Sequence, residues 1–441
     1  MKTLRRVMLL VLILIASVST VVSAVHAQSD QPLAIVMTAD GPIMPPMLEY
    51  ISRGIETANR REAEVLIIQL TTPGGLITVM EQINSEIRAS DVPVVIYVSP
   101  SGGMAASAGA LITLAGHASA MAPQTIIGAA SPVGGQGEDL DETMKAKEME
   151  ALAASVRTYT NRRGEKATAL AEAMITDAKA VTEKEALDAN LIDFVVDNVD
   201  DLLESLDGLE VIVNGTSRTL NTASARTEPL EMSLIESLLL FLTNPNIVFT
   251  LLSVGIMAIL IEISSPGGWF AGFIGAVCVT VASYGLGILP VNWFGILFML
   301  ISFALFILDI KAPTHGALTA AGVGSFIIGA LVLFNSPGTP QFQRVSVPLV
   351  VAAGLSIGLL FLTLLVFALR SLRRPISVGV ESLVGKTGTA RTSVGEAGGQ
   401  VQLESELWTA EPVPDSAKIG KGDHVEVVEV KGLRLKVRKI K

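Results

Sequence analysis

From residue 33 onward, short apolar runs alternate with amphipathic stretches. Leu33 to Thr38, Val65 to Leu70 and Val94 to Val98 have the length and β-branched content of buried strands. Between them, Leu48, Ile51 and Ile55, and then Val79, Ile83 and Ile87, each fall on one face of a helix. Repeated strand-helix-strand units predict a parallel sheet covered by helices, an α/β domain.

The pattern changes near residue 234. Residues 30–230 hold most of the charged side chains, whereas 234–369 run for long stretches with almost none. The first region reads as soluble and the second as lipid-embedded. Five segments have the length of a hydrocarbon core: Ile247 to Ile263, Trp269 to Leu289, Trp293 to Ile310, Gly316 to Phe334 and Val347 to Leu369. Glu262 falls at the end of the first, where a carboxylate reaches the interface, and Trp269 and Trp293 sit at segment ends as interfacial anchors. Leu234 to Leu242, just before Asn244-Pro245, reads as an interfacial helix. Residues 201–233, polar and Ser/Thr-rich apart from Val211-Ile212-Val213, read as a linker. After Pro375, alternating strands with glycine turns, such as Gln400 to Leu403 and His424 to Val430, predict a small all-β barrel.

Residues 1–27 combine a basic start (Lys2, Arg5, Arg6), an apolar stretch from Val7 to Val22 and the small-residue pattern Val25-His26-Ala27. This is the form of a cleaved secretory signal, the alternative being an uncleaved anchor; either exports the domain that begins near residue 30. With residues 30–230 outside, five spans put Lys311, Arg370, Arg373 and Arg374 on the cytoplasmic side and leave only Arg344 in an outer loop. That satisfies the positive-inside rule and predicts a multi-pass cell-membrane protein with a cytoplasmic C-terminal domain.

Composition removes several function classes. The net charge of −10 and the lack of a long Lys/Arg run leave no footprint for nucleic acid. Cys278 is the single cysteine, so neither intramolecular disulfides nor thiolate metal sites are expected. His117, His315 and His424 lie in three different regions, which argues against a histidine metal centre. Asp309 and His315, beside Lys311 and Pro313, read as solvated loop residues rather than a proton path. Gly385-Lys386-Thr387 is not a nucleotide loop, because Val380 stands where the earlier glycine is required and no helical run comes after it.

Candidate chemistry sits where strands end. Thr71-Thr72-Pro73-Gly74-Gly75 comes directly after one strand, and Ser99 to Gly109, containing Gly102-Gly103-Met104-Ala105-Ala106-Ser107-Ala108-Gly109, comes after the next and leads into a helical run. Glycine-rich turns and a helix start present backbone N–H groups able to hold an oxyanion. Ser107, flanked by Ala and Gly, is open to an approaching carbonyl and suits a nucleophile, although such a serine is also a common helix cap. Its base is less evident, since His117 is separated from it by the intervening helix. A lysine replaces histidine where its neutral form is accessible, and Lys145 and Lys147 are the candidates.

Together TTPGG, GGMAASAG, MAPQTIIGAASPV, TMKAK and RRG resemble the NfeD-type membrane serine peptidases, within the class of Clp protease and signal peptide peptidase A folds. The resemblance continues through NLIDFVVDNVDDLLESLDG, NPNIVFTLLSVGIMAILIEISSPGG and GLRLKV, nearly the whole mature chain. It implies a ClpP/crotonase-like α/β peptidase domain over 30–200, a transmembrane region over 234–369 and an OB-fold over 376–441. It also implies a Ser-Lys dyad of Ser107 and Lys147, with an oxyanion hole from Ala108 and one of Gly74 or Gly75. The helical stripe Met149, Leu152, Val156 and Tyr159 extends backward to Lys145 instead, so Lys147 requires a helix that begins after it, next to a loop over 134–141. Glu148-Met149-Glu150 departs from the small and amide or acidic residues more usual in the family, and carboxylates favour the charged form of a neighbouring amine.

The resemblance implies an endopeptidase acting on apolar segments near the bilayer, with stomatin-like membrane proteins as partners and substrates, and a homo-oligomer. The rival is a catalytically weak scaffold that binds stomatin-like proteins. In the barrel Trp408 is the only aromatic, which favours protein contact over oligonucleotide binding. Acyl-CoA chemistry on the related crotonase fold is disfavoured, because export separates the domain from cytosolic CoA.

Overall fold

The computed structural model describes residues 31–133, 141–264, 268–312, 314–336, 339–372, 380–414 and 416–440. The expected signal at 1–27 and most of the expected loop at 134–141 lie outside them.

The three apolar runs form β1 (Leu33–Asp40), β2 (Val65–Thr71) and β3 (Val94–Val98), separated by α1 (Pro45–Arg60) and α2 (Ile77–Ala89). β4 (Met104–Ala106), α3 (Ala108–Ala115), β5 (Ala118–Met121) and β6 (Ile126–Gly128) come after them. Next are α4 (Glu142–Thr160), α5 (Glu165–Thr176), β7 (Ala180–Thr182), α6 (Glu183–Asp188) and β8 (Phe194–Val195). The main sheet has six parallel strands in the order β11-β1-β2-β3-β5-β8, where β11 is Arg226–Leu230, and β4-β6-β7 form a small second sheet.

Alternation along the strands divides the core into two layers. Leu66, Ile68, Val94 and Ile96 face the helices α1 to α3, whereas Val65, Ile67, Val95 and Tyr97 face the opposite side. That second face is covered by α7 (Val199–Leu206) and the hairpin of β9 (Glu210–Val213) and β10 (Thr216–Thr219), which contribute Leu202, Leu203, Leu206 and Val211. The linker expected over 201–233 is therefore folded structure. A parallel sheet buried on one face only would leave half of its apolar strands in water, and this segment supplies the missing layer.

An ion pair ties the outer helices to the sheet. Arg163, between α4 and α5, donates to both oxygens of Asp193 at 2.9 and 2.7 Å and to Ser119 Oγ on β5 at 3.0 Å. Arg163 is buried, so losing this partner would leave a buried charge unpaired. The pair fixes the C-terminal end of α4, where Leu152, Val156 and Thr160 are buried, while Glu142 to Lys147 remain exposed.

Residues 234–372 form α8 (Leu234–Phe241), α9 (Pro245–Ser264), α10 (Phe270–Ile288), α11 (Phe294–Lys311), α12 (Ala317–Phe334) and α13 (Val347–Leu372). The last five are long and apolar enough to cross a membrane. Glu262 also acts as a cap, accepting from the N–H groups of Trp269 (3.0 Å) and Gly272 (3.4 Å) where α10 begins. Asp309 is buried rather than solvated, and its carboxylate accepts from the Thr314 hydroxyl and the Gly316 N–H. The C-terminal segment forms the expected barrel, closed in the order β12-β13-β14-β16-β15 from Thr387–Ala390, Gly399–Leu403, Glu406–Pro412, Arg434–Lys439 and His424–Lys431. Its core includes Val401, Val425, Leu435 and Val437. The fold class is thus the expected one: an α/β ClpP-like domain, an α-helical membrane region and a small all-β OB-type barrel.

His117 yields a test of the α/β domain. Its ring is buried, and Nδ1 accepts from the Val94 N–H at 3.0 Å. Burial first, then the charges of Arg88 and Arg162, hold its pKa down at about 4 against 6.5 for a free imidazole. The native state therefore favours the neutral ring, and the unfolded chain takes up the extra proton as pH falls. The stabilisation is complete above pH 6.5 and is lost on going down through about 4, a span worth roughly 3 kcal/mol. In thermal melts of the full chain in detergent, Tm should fall over this range more steeply in the wild type than in His117→Gln; equal slopes would refute the assignment.

Candidate active site

The two glycine-rich turns lie side by side because their backbones pair. The Thr72 N–H donates to Met104 O at 2.7 Å and the Ala106 N–H to Thr72 O at 3.0 Å, while the Met104 N–H donates to Thr71 Oγ1 at 3.0 Å. This bridge joins the carboxyl end of β2 to β4 and brings the first turn against Ser107. A Cβ on Gly74 would lie 2.6 Å from Ser107 Cβ, closer than Cβ atoms approach, and a tight 3.1 Å from its Oγ. Gly74 also has φ +109°, so the position needs glycine on two counts.

Ser107 stands between β4 and α3 with φ 54° and ψ −120°, an unfavourable conformation for a residue with a Cβ. Its N–H donates to Gly128 O at 2.8 Å, and its carbonyl accepts from the Ala110 N–H at 3.0 Å as the helix begins. A serine held in strain at a sharp strand-to-helix turn presents its hydroxyl outward. Half-buried, it lines a cleft of about 560 Å³ together with Gly75 and Ala108.

The backbone donors separate the two glycines. The Gly74 N–H is engaged by Thr72 Oγ1 at 3.0 Å. Gly75 sits in a parallel bridge with Ile43 that uses the Gly74 carbonyl and the Leu76 N–H, and no acceptor for the Gly75 N–H is found among the described residues. Ala108, first residue of α3, has no intrahelical acceptor for its own N–H. Of the four predicted glycine, alanine and serine positions, Gly75, Ala108 and Ser107 share the cleft, and Gly74 packs behind Ser107.

The lysines are placed differently. α4 runs unbroken from Glu142, capped by Asp141 Oδ1 accepting from the Thr143 and Met144 N–H groups, so the helix does not begin after Lys147. Glu148 and Leu152 line the cleft, whereas Lys145 and Lys147 are exposed and line none of it. At about 100° per residue Lys145 lies within about 20° of Leu152, while Lys147 points about 140° away. Neither lysine is hydrogen-bonded to Ser107 among the described residues. His117, beyond α3, is taken up by the Val94 amide.

Three lining or supporting residues escaped sequence reasoning. Thr72 and Glu148 had visible signals, the first inside TTPGG and the second at i−4 from Leu152. Phe342 enters the cleft from the loop between α12 and α13, and nothing local marks it.

The chain has known relatives along most of its length. Family models match in three stretches: the NfeD1b N-terminal domain over residues 37–214, the NfeD integral membrane domain over 246–367 and the NfeD-like C-terminal, partner-binding domain over 380–439. The membrane-bound protease PH1510 of Pyrococcus horikoshii is 32% identical over 98% of this chain and 97% of its own length. Among solved structures, a lysine-to-alanine variant of 1510-N, a membrane-bound stomatin-specific protease, in complex with a substrate peptide is 31% identical, covering 48% of this chain and 98% of that one, with a TM-score of 0.45. A serine-to-alanine variant of the same protease is 32% identical, covering 46% and 99%, with a TM-score of 0.43. With its three domain models matched in order and PH1510 aligned almost end to end, the chain belongs to the NfeD family of multi-pass membrane proteins that includes this protease.

Proposed function

We propose that this chain is a membrane-bound serine endopeptidase that cleaves apolar peptide segments by a Ser-Lys dyad, with stomatin-like membrane proteins among its substrates and partners. The observation that carries the reading is Ser107, strained at a strand-to-helix turn beside the N–H groups of Gly75 and Ala108, which have no acceptor among the described residues. Ser107 Oγ attacks the peptide carbonyl while a neutral lysine amine takes its proton. The carbonyl oxygen gains negative charge between the Gly75 and Ala108 N–H groups. Collapse expels the amine, which receives the proton from the lysine, and water then hydrolyses the acyl-enzyme with the lysine again as base.

Lys147 is the base that the family resemblance assigns, and it requires the first turns of α4 to leave their helical register. Lys145, already on the cleft face, is the alternative. The peptidase domain lies outside the cell and the barrel inside, as the basic loops argue, with the barrel as the docking site for a stomatin-like partner. The family relation also supports a homo-oligomer.

A catalytically weak scaffold is the second reading, favoured by the presence of Glu148 rather than a lysine on the cleft wall. Incubating the full chain in detergent with an apolar peptide separates the two. Ser107→Ala should lower kcat by at least about 10³-fold, and the lysine variant that does the same, Lys147→Ala or Lys145→Ala, identifies the base. Equal cleavage by all four proteins would remove the dyad, and no cleavage by the wild type across a panel of apolar peptides would leave the scaffold.

The oxyanion hole has its own test. A Cβ at position 75 would lie 2.1 Å from Ile43 O and 2.6 Å from Ile43 C, so the turn must shift. Gly75→Ala should cost about 10²–10³ in kcat while circular dichroism still reports a folded chain. Wild-type turnover by this variant would exclude Gly75 from the hole.

A further inference from the structure

The Ser107 cleft has a wall that the soluble domain does not supply. Phe342 and Gln343, in the loop from Asn335 to Ser346 between the fourth and fifth membrane helices, line it together with Pro73. The same three residues line a second cleft of about 400 Å³, whose other side is formed by Gly41, Met232, Leu240 and Phe241. We infer that Phe342 and Gln343 are specificity-determining residues of the peptidase site, and that the second cleft is the subsite receiving an apolar substrate chain as it rises from the bilayer surface. This inference rests on the peptidase reading of Ser107.

Residues 339–346 form a built wall rather than a loose strand. Asn335 clamps its far end, its Oδ1 accepting from the Val345 N–H at 2.8 Å and its Nδ2 donating to Val345 O at 3.0 Å. Arg344 Nε donates to Thr339 O at 2.7 Å, the Gln343 N–H to Pro340 O at 2.9 Å, and the Ser346 N–H to Asn246 Oδ1 on α9 at 2.7 Å. Gln343 is buried, while Phe342 keeps 36% of its surface exposed. A held backbone that leaves one large apolar ring open between two cavities has the form of a selecting contact.

Chain geometry sets the height of the site. Phe342 lies five residues before Val347, where α13 starts, and an extended chain covers at most about 18 Å over that separation. The wall of the cleft is therefore tethered close to the membrane surface. The second cleft continues the path outward: Phe241 lines it and is 55% exposed, on a helix that also exposes Leu234 (91%), Ile235 (70%) and Leu238 (55%) immediately before the first span. An apolar face of this kind lies stably at a bilayer interface. The substrate class that fits is an extended apolar segment next to, or drawn from, the membrane.

Full-length protein in lipid nanodiscs, with a photo-reactive benzoylphenylalanine at position 342, tests the placement without relying on activity. In a Ser107→Ala background an apolar peptide should be captured at position 342, and without peptide the cross-link should go to the segments around residues 73–81 or 107–111. Kinetically, Phe342→Ala should raise KM for long apolar peptides about tenfold and change the preferred residues near the cut, with kcat little altered. General damage to the fold would lower kcat instead. Cross-links confined to lipid or neighbouring spans, together with an unchanged KM and cleavage pattern, overturn the inference while the peptidase stands. Peptide capture at 342 by a wild type that never cleaves refutes the peptidase reading and with it the specificity role, an outcome distinct from the one above.

Discussion

The site depends on a short parallel bridge between Thr72 and β4. It presses a glycine turn against a serine whose own backbone is strained. Positive φ at a residue with a Cβ costs on the order of 1–3 kcal/mol, and such a conformation survives only where several contacts impose it. Here the Gly128 carbonyl, the first hydrogen bond of α3 and the Thr72 bridge all impose it. Each contact comes from the end of a different strand or helix, so the framework of the six-stranded sheet, the small β4-β6-β7 sheet and α3 acts as a jig. Its buried two-sided core keeps the strand ends fixed while the chemistry occupies the turns beyond them.

Within the proposed dyad, the amine is held less firmly than the hydroxyl. α4 is pinned at its C-terminal end by the Arg163–Asp193 pair and by Leu152 and Val156, whereas its first turns stand in solvent. A helix anchored at one end can move or unwind at the other at low cost, since few buried contacts are lost. Glu148 then becomes informative, because it marks the helical face turned to the cleft and shows how far Lys147 must turn to reach it. In the dyad proposed above, a rigid serine and exposed lysines would make the approach of the base the step most open to control by substrate.

Much of this is legible in the sequence because the signals are local. β1 to β3, α1 and α2 come from apolar periodicity, the five membrane helices from length and hydropathy, and the barrel from alternating strands. The segment over 201–233 reads wrongly as a linker because its polar composition outweighs a sparse set of buried positions, Leu202, Leu203, Leu206 and Val211. The demand of a parallel sheet for cover on both faces is the better guide. Asp141-Glu142 is a readable helix start, and it conflicts with a helix beginning after Lys147. What separates Gly74 from Gly75 is the hydrogen bond that the Gly74 N–H donates to Thr72 Oγ1, invisible to a motif. Phe342 and Gln343 reach the cleft through tertiary contact alone.

The order of the chain gives the Phe342 contact a physical consequence. The soluble domain precedes all five membrane helices, and domains made first fold first. Ser107 and its turns can therefore form while the later spans are still being made, but the wall carried by Phe342 arrives only with the loop between the fourth and fifth. A cleft missing one apolar wall binds an extended chain more weakly, because the substrate leaves that face in water. On the proposed reading, full substrate affinity belongs to the inserted protein, where membrane-tethered segments would meet the site at a high effective concentration. Selectivity in such a protein owes as much to where the cleft is held as to the side chains that line it.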